Sequence, residues 1–256
     1  MKNVVFIPNI KLDNDRSDSY HYSIKSWTNW CKKNDCELLV WEDLLYPIDY
    51  MKITWQRYYM FDILEANDID YNQVLMVDAD TIIHPDCPNF FELTDNKYCG
   101  VKVDGCYEWV VRSIKGFGDE LFSGKRIKPW NYINGGFQIV NKSHKDFFES
   151  MKKYYSENKD KIIHTIDKLK CGTDQTILNY ILDKENIDVK LLPVRYNLQD
   201  MFRKNLLHIP EYSWWPDTLE NLWDSGWIYH FNSIPQNKHN RNANYWIKRV
   251  YEELYK

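Results

Sequence analysis

Two aspartates one residue apart, Asp78 and Asp80, follow the apolar run Val74-Leu75-Met76-Val77. Four consecutive apolar residues predict a buried strand, and the carboxylates come at i and i+2 where that strand ends. In an open α/β sheet the ligand crevice lies beyond the carboxyl ends of the strands. Two carboxylates converging there repel each other unless a cation neutralises them. Hard divalent ions such as Mg²⁺ or Mn²⁺ take oxygen ligands and keep positions for phosphate oxygens. The plain alternative is a strand-end turn with two solvated side chains.

Three later stretches carry further chemistry. Asn134-Gly135-Gly136 gives a backbone that a ligand can approach closely, with an amide able to bond hydroxyls in two directions; an ordinary glycine turn before a strand reads the same way. Asp174 and Gln175 follow Thr173, a residue suited to cap a helix, so both fall in the first turn. A carboxylate there is also favoured simply by the helix dipole. His230 ends the apolar run Trp227-Ile228-Tyr229. Such a histidine is either a satisfied core residue or a neutral imidazole ligand for a Mn²⁺-like ion.

The elements that must position these residues alternate between strand and helix patterns, the signature of an α/β sheet. Strands are predicted at 4–7, 37–41, 74–77, 98–103, 136–140, 189–192 and 227–231. Tyr20, Ile24, Trp27, Trp30 and Cys31 fall on one face of a helix. Thr54 can cap a helix running to about Asn67. Ser143 with Asp146 resembles a capping box, opening a helix striped by Phe147, Phe148, Met151, Tyr154 and Tyr155. A further helix begins at Thr173 and turns Ile177, Leu178, Ile181 and Leu182 inward. Segments 104–132 and 197–226 lack a clean period and read as long binding loops or lids.

Composition narrows the function classes. With a net charge of −4 the chain offers no basic field for nucleic acid. No apolar stretch reaches the length of a membrane span, and Val4 to Ile7, ended by Pro8, is too short for a signal-peptide core. The six cysteines (31, 36, 87, 99, 106, 171) show no CxxC pair. They predict reduced, mostly buried thiols in a cytoplasmic protein. Aromatic residues make up 16% of the chain, enough for both core packing and stacking against the apolar face of a sugar.

Taken in order, the four stretches resemble the motifs of GT-A-fold glycosyltransferases, in particular the retaining family-8 type that includes glycogenin and the bacterial galactosyltransferases. The resemblance runs from the first strand to about Lys238. It implies an α/β, Rossmann-like GT-A domain over 1–256, with a central mixed, mostly parallel sheet flanked by helices. Asp78-Ala79-Asp80 corresponds to the DxD motif that holds Mn²⁺ (or Mg²⁺) and the nucleoside-diphosphate sugar, with a UDP-sugar favoured. His230 corresponds to the third metal ligand and Arg57 to a basic residue near the donor. Asn134, Gly135 and Gly136 match the donor-sugar contact, and Asp174 and Gln175 match the catalytic pair beside the anomeric carbon. Asn9 corresponds loosely to a first-strand donor contact. The implied reaction is hexosyl transfer, with retention, to a glycan, glycoprotein or other hydroxyl acceptor.

The sequence departs from that pattern after His230. A Gly and a Lys-Pro-Trp are expected there to hold the pyrophosphate, whereas the chain reads Asn232-Ser233-Ile234-Pro235-Gln236-Asn237-Lys238. Lys238 is the nearest counterpart, displaced by two residues. Lys128-Pro129-Trp130 has the right letters in the wrong place. Two rival readings share parts of the signal. Asp78 and Asp80 also fit a haloacid-dehalogenase-type phosphatase, although that chemistry needs a later acidic pair and an earlier first motif. A non-catalytic carbohydrate-binding protein on the same scaffold is the other.

Overall fold

The structure is a computed structural model that describes residues 1–11, 15–103, 107–171, 173–199, 226–234 and 242–256. Its frame is a six-stranded sheet of order β2-β1-β3-β6-β5-β7. The strands are β1 (Lys2–Pro8), β2 (Glu37–Trp41), β3 (Tyr71–Val77), β5 (Tyr98–Lys102), β6 (Ile133–Asn141) and β7 (Val189–Leu192). Strand β6 runs antiparallel to both of its neighbours, and the other pairings are parallel. A separate two-stranded ribbon joins β4 (Thr81–Ile83) to β8 (Ile228–His230).

The apolar runs are continuous because both faces of the sheet are covered. Val4, Phe6, Val74 and Met76 belong to one core cluster, and Val5, Ile7, Leu75 and Val77 to the other. The first cluster is closed by α2 (Ile53–Gln56), α3 (Met60–Ala66), α5 (Lys145–Leu169) and α6 (Gln175–Lys184). The second is closed by α1 (Tyr20–Lys33), whose Trp27 and Trp30 are buried and whose Trp30 ring stacks on Phe90 at 4.6 Å. A third cluster packs α7 (Ala243–Leu254) against the ribbon through Trp246, Ile247 and Val250. Burying side chains of that size contributes about 1.5–3 kcal/mol each. That packing fixes His230, which sits at the end of β8.

Three local expectations are corrected. Within 104–132, residues Tyr107–Leu121 form a helix, α4, with Val110, Ser113, Ile114 and Phe117 on its buried face. Gly116 and Gly118 obscured the period because glycine weakens helices. Here they permit close packing: a Cβ at Gly116 would overlap the Leu169 side chain, and one at Gly118 the Lys125 carbonyl and Tyr180 hydroxyl. The capping box before α5 is Asn141 with His144, so Asn141, ending β6, takes the role expected of Ser143. The helix expected from Thr54 starts at Ile53 and is broken by a 3₁₀ turn at Arg57–Tyr59.

Most of 197–226 lies outside the described residues. No helix among those described is long and apolar enough to cross a membrane. Of the cysteines within them, Cys31, Cys87, Cys99 and Cys171 are buried free thiols, and Cys36 is half-buried.

Candidate active site

The register of the central sheet builds the site. Val77 of β3 pairs with Phe137 of β6, which sets the residue after β3 beside the start of β6. The Asp78 amide therefore donates to the Gly136 carbonyl at 3.0 Å. One turn on, Thr81 pairs with His230 in the ribbon, and the Phe231 amide donates to the Asp80 carbonyl at 2.9 Å. Two strand pairings thus bring Asp78, Asp80 and His230 together from opposite ends of the chain. A Cβ at Gly136 would overlap the Asp78 carboxylate and the His230 ring, so only glycine fits there.

The three donor atoms lie within 4.8 Å of one another. His230 Nε2 is 3.2 Å from Asp80 Oδ1 and 3.5 Å from Asp78 Oδ2. Ligands sharing one Mg²⁺ or Mn²⁺, each about 2.1 Å from it, stand roughly 3–4 Å apart. Despite these approaches Nε2, fully buried, has no aligned hydrogen bond. A chain of fixed amides explains which nitrogen this is. The Gly136 amide and Asn197 Nδ2 both donate to Asn134 Oδ1, at 2.9 and 3.1 Å. Asn197 therefore turns its oxygen to His230 Nδ1, 2.9 Å away, and Nδ1 must carry the proton in the neutral ring. The Nε2 lone pair is left facing the two carboxylates, as metal-binding histidines are held by their outer partners. Donor chemistry, spacing and the orphaned nitrogen all fit a hard divalent cation.

Charge is compensated in other ways in the metal-free protein. Burial disfavours the Asp78 carboxylate, but Arg57 and His230 outweigh it and hold its pKa down at about 2. Burial likewise opposes the His230 imidazolium, yet Asp80 and Asp78 push its pKa up to about 9. Arg57 Nη1 lies 2.9 Å from Asp78 Oδ1 and donates to the Gly135 carbonyl at 2.7 Å. Its Nε is 3.8 Å from Asp174 Oδ2. On the other side, Arg16 Nη2 donates to Asp80 Oδ2 at 3.3 Å.

Asp174 is almost fully buried and takes the N-cap position of α6, where Thr173 was expected. Its carboxylate caps nothing. Tyr58 donates to Oδ2 at 2.9 Å and Thr173 to Oδ1 at 2.8 Å. Gln175 Oε1 accepts from the Gly135 amide and from Asn134 Nδ2, both at 3.0 Å, so it ties α6 to the start of β6. Asn179, one turn later, grips the Ile133 amide at 2.8 Å and its carbonyl at 2.9 Å.

A cavity of about 690 Å³ opens over these groups. Arg57, Asp78, Asp80, Asn134, Gly135, Gly136, Asp174, Gln175 and His230 all line it. Two expected residues do not. Asn9 is buried at the end of β1 and donates to Glu42 at 2.9 Å, and Ala79 packs into the second core cluster. Lys238 lies outside the described residues. Sequence reasoning missed Arg16, Tyr58, Asn197, Gln199 and Trp109. Asn197 and Gln199 alternate about Leu198, which bridges to Tyr229, a strand-like signal too short to stand out. Trp109 was hidden in the unrecognised helix α4.

No family model matches the sequence, and no curated protein matches it either. Solved structures do. A glycosyltransferase involved in glycosylation of the major capsid of PBCV-1 superposes with a TM-score of 0.60, covering 100% of this chain and 99% of its own, at 9% identity. The fold is of the GT-A glycosyltransferase type. The glycosyltransferase GlyE of Streptococcus pneumoniae TIGR4 gives a TM-score of 0.51 at 16% identity; all of this chain is covered, and it spans 64% of GlyE. At these identities the likeness concerns the fold, and the chemistry rests on the residues described above.

Proposed function

We propose that the chain transfers a sugar from a nucleoside-diphosphate sugar, a UDP-sugar by preference, to a hydroxyl on a glycan, glycoprotein or other acceptor. The observation that carries this reading is the orphaned His230 Nε2 facing Asp78 and Asp80 at the floor of a large cavity, in a GT-A-like fold. A phosphatase would need a second acidic pair at this point. Among the described residues, the third donor converging on Asp78 and Asp80 is a histidine.

Asp78, Asp80 and His230 would hold Mn²⁺ or Mg²⁺, which supplies Lewis acidity toward a departing diphosphate. The chain's own groups do the rest. Asn134 and the Gly135-Gly136 backbone form the wall against which the donor sugar is oriented. Asp174, fixed by Tyr58 and Thr173, places a carboxylate beside the anomeric centre and stabilises oxocarbenium-like charge. Gln175 holds Asn134 and Gly135 in register with Asp174. Arg57 fixes Asp78, and its approach to Asp174 ties the metal half of the site to the sugar half. Retention of configuration is the stereochemical outcome we assign, on the resemblance to the retaining family-8 type.

A panel of nucleotide sugars, assayed for hydrolysis and transfer with and without Mn²⁺, tests the reading. Turnover of one donor that is abolished by chelator and restored by Mn²⁺ is the expected result. Turnover unaffected by chelator would remove the metal from the mechanism, and release of phosphate from phosphomonoesters would favour the phosphatase.

A further inference from the structure

Arg16 sits where no sequence motif put a cation. It belongs to a single 3₁₀ turn, Asp15–Ser17, just before α1, and lines the same cavity as Arg57. Its Nε donates to the Tyr20 hydroxyl at 3.3 Å and its Nη2 to Asp80 Oδ2 at 3.3 Å. The two carboxylate oxygens of Asp80 therefore serve different partners, Oδ1 facing His230 and Oδ2 facing Arg16.

The cavity-lining cations differ in what they are able to reach. Arg57 has a side chain only 8% exposed and is committed to Asp78 and the Gly135 carbonyl. Lys170 stands past the end of α5, beside Cys171. Arg16 has a side chain 39% exposed and lies within contact of a residue that would hold the metal. A divalent ion held by Asp78 and Asp80 neutralises the two carboxylates together and so removes most of the attraction that Asp80 exerts on the guanidinium. An anion arriving with the metal reverses that balance, and a planar guanidinium binds phosphate oxygens in a bidentate fork.

We propose that Arg16 is a diphosphate-binding residue: it neutralises Asp80 in the empty site and turns onto the donor's diphosphate once the metal is held. This inference rests on the glycosyltransferase reading above. It makes metal and nucleoside diphosphate bind cooperatively, because the metal frees Arg16 from Asp80 for the diphosphate and the diphosphate offsets the charge of the metal.

The test is calorimetric titration of wild type and Arg16→Gln with Mn²⁺ alone, with uridine, and with UDP or GDP in the presence of Mn²⁺. In R16Q, Mn²⁺ alone should bind as tightly as in wild type or more tightly. UDP with Mn²⁺ should bind at least tenfold more weakly, and uridine should be unaffected. Arg16→Lys should recover part of the loss, since it keeps the charge without the fork. Opposite signs for metal and diphosphate are the signature of this role. Equal diphosphate affinity in R16Q and wild type would overturn the inference while leaving the functional reading intact. Parallel loss of Mn²⁺ and diphosphate would also overturn it, showing that Arg16 merely orients Asp80. A wild-type protein that binds no nucleoside diphosphate in Mn²⁺ would overturn both. Should R16Q fail to fold, R16K decides alone: wild-type diphosphate affinity in R16K would contradict bidentate contact.

Discussion

The two walls of the cavity are built on opposite terms. On the β6–α6 side the Asn134 and Asn179 amides are fully tied: Asn134 to Gly136, Asn197, Gln175 and Gln199, and Asn179 to both backbone groups of Ile133. On the β4–β8 side the groups are charged, come from three distant segments, and leave His230 Nε2 unmatched. The first wall is finished by folding alone. The second is an arrangement of opposing charges that a metal and an anion would resolve. Substitutions of the uncharged network on the first wall should therefore read out in stability, and those of the charged groups, Asp174 at the head of α6 included, in ligand binding and turnover.

Asp80→Ala should have the largest effect. It removes a direct ligand and a large part of the charge that holds the cation, and turnover should fall by several orders of magnitude. The fold should survive, with a fall in the melting temperature of the metal-free protein, because Asp80 is buried and holds the charged forms of His230 and Arg16. Wild-type turnover by this variant would falsify the metal-bridged site.

Asp174→Asn comes next. An isosteric amide keeps the packing under α6 but loses the charge. The turnover number should fall about 10²-fold with donor affinity nearly unchanged. Lost affinity with normal turnover at saturation would make Asp174 a donor-positioning group instead. Product anomers from the residual activity would test retention.

Asn134→Ala should show the other behaviour. It strands the Gly136 amide, Asn197 Nδ2 and Gln199 Oε1 in a buried setting, while Gln175 keeps the Gly135 amide. The protein should lose about 2–4 kcal/mol of stability in denaturant unfolding. A variant as stable as wild type would mean that the wall is not a preassembled network.

The gentlest probe is pH. The pKa of His230 is raised to about 9 in the folded, metal-free protein, against about 6.5 when unfolded. Its charged form thus stabilises that protein fully below pH 6.5, and the contribution fades as pH rises through 9. Metal must displace the same proton, so Mn²⁺ affinity should climb about tenfold per pH unit toward pH 9 and then level off. His230→Ala should bind Mn²⁺ weakly and without that slope. A slope that survives in the variant would place the titrating proton elsewhere.

Much of this frame was legible beforehand for a physical reason. A sheet buried on both faces writes itself as unbroken apolar runs, so β1 and β3 were placed within a few residues. The carboxylates after β3 announced themselves because two of them, one residue apart at the crevice end of a buried strand, repel each other unless a cation joins them. What stayed hidden was long-range or locally masked. Glycines chosen for close packing against Leu169 and Tyr180 disguised α4. The helix α7 carries Trp246, Ile247 and Val250 inward, but its pattern was overlooked beside the polar stretch before it. Arg16 and Asn197 act through partners 64 and 33 residues away, at Asp80 and His230, and no local period records such contacts. The cap before α6 misled because Thr173 spends its hydroxyl on Asp174 rather than on the helix.

The most direct measurement is a crystal structure grown with Mn²⁺ and a nucleoside diphosphate, with the ion located by its anomalous scattering. The account predicts one Mn²⁺ bonded to Asp78, Asp80 and His230 Nε2, with His230 Nδ1 still donating to Asn197 and phosphate oxygens completing the ion's shell. A manganese peak away from these three residues, or a diphosphate bound here with His230 turned off the metal, would contradict it.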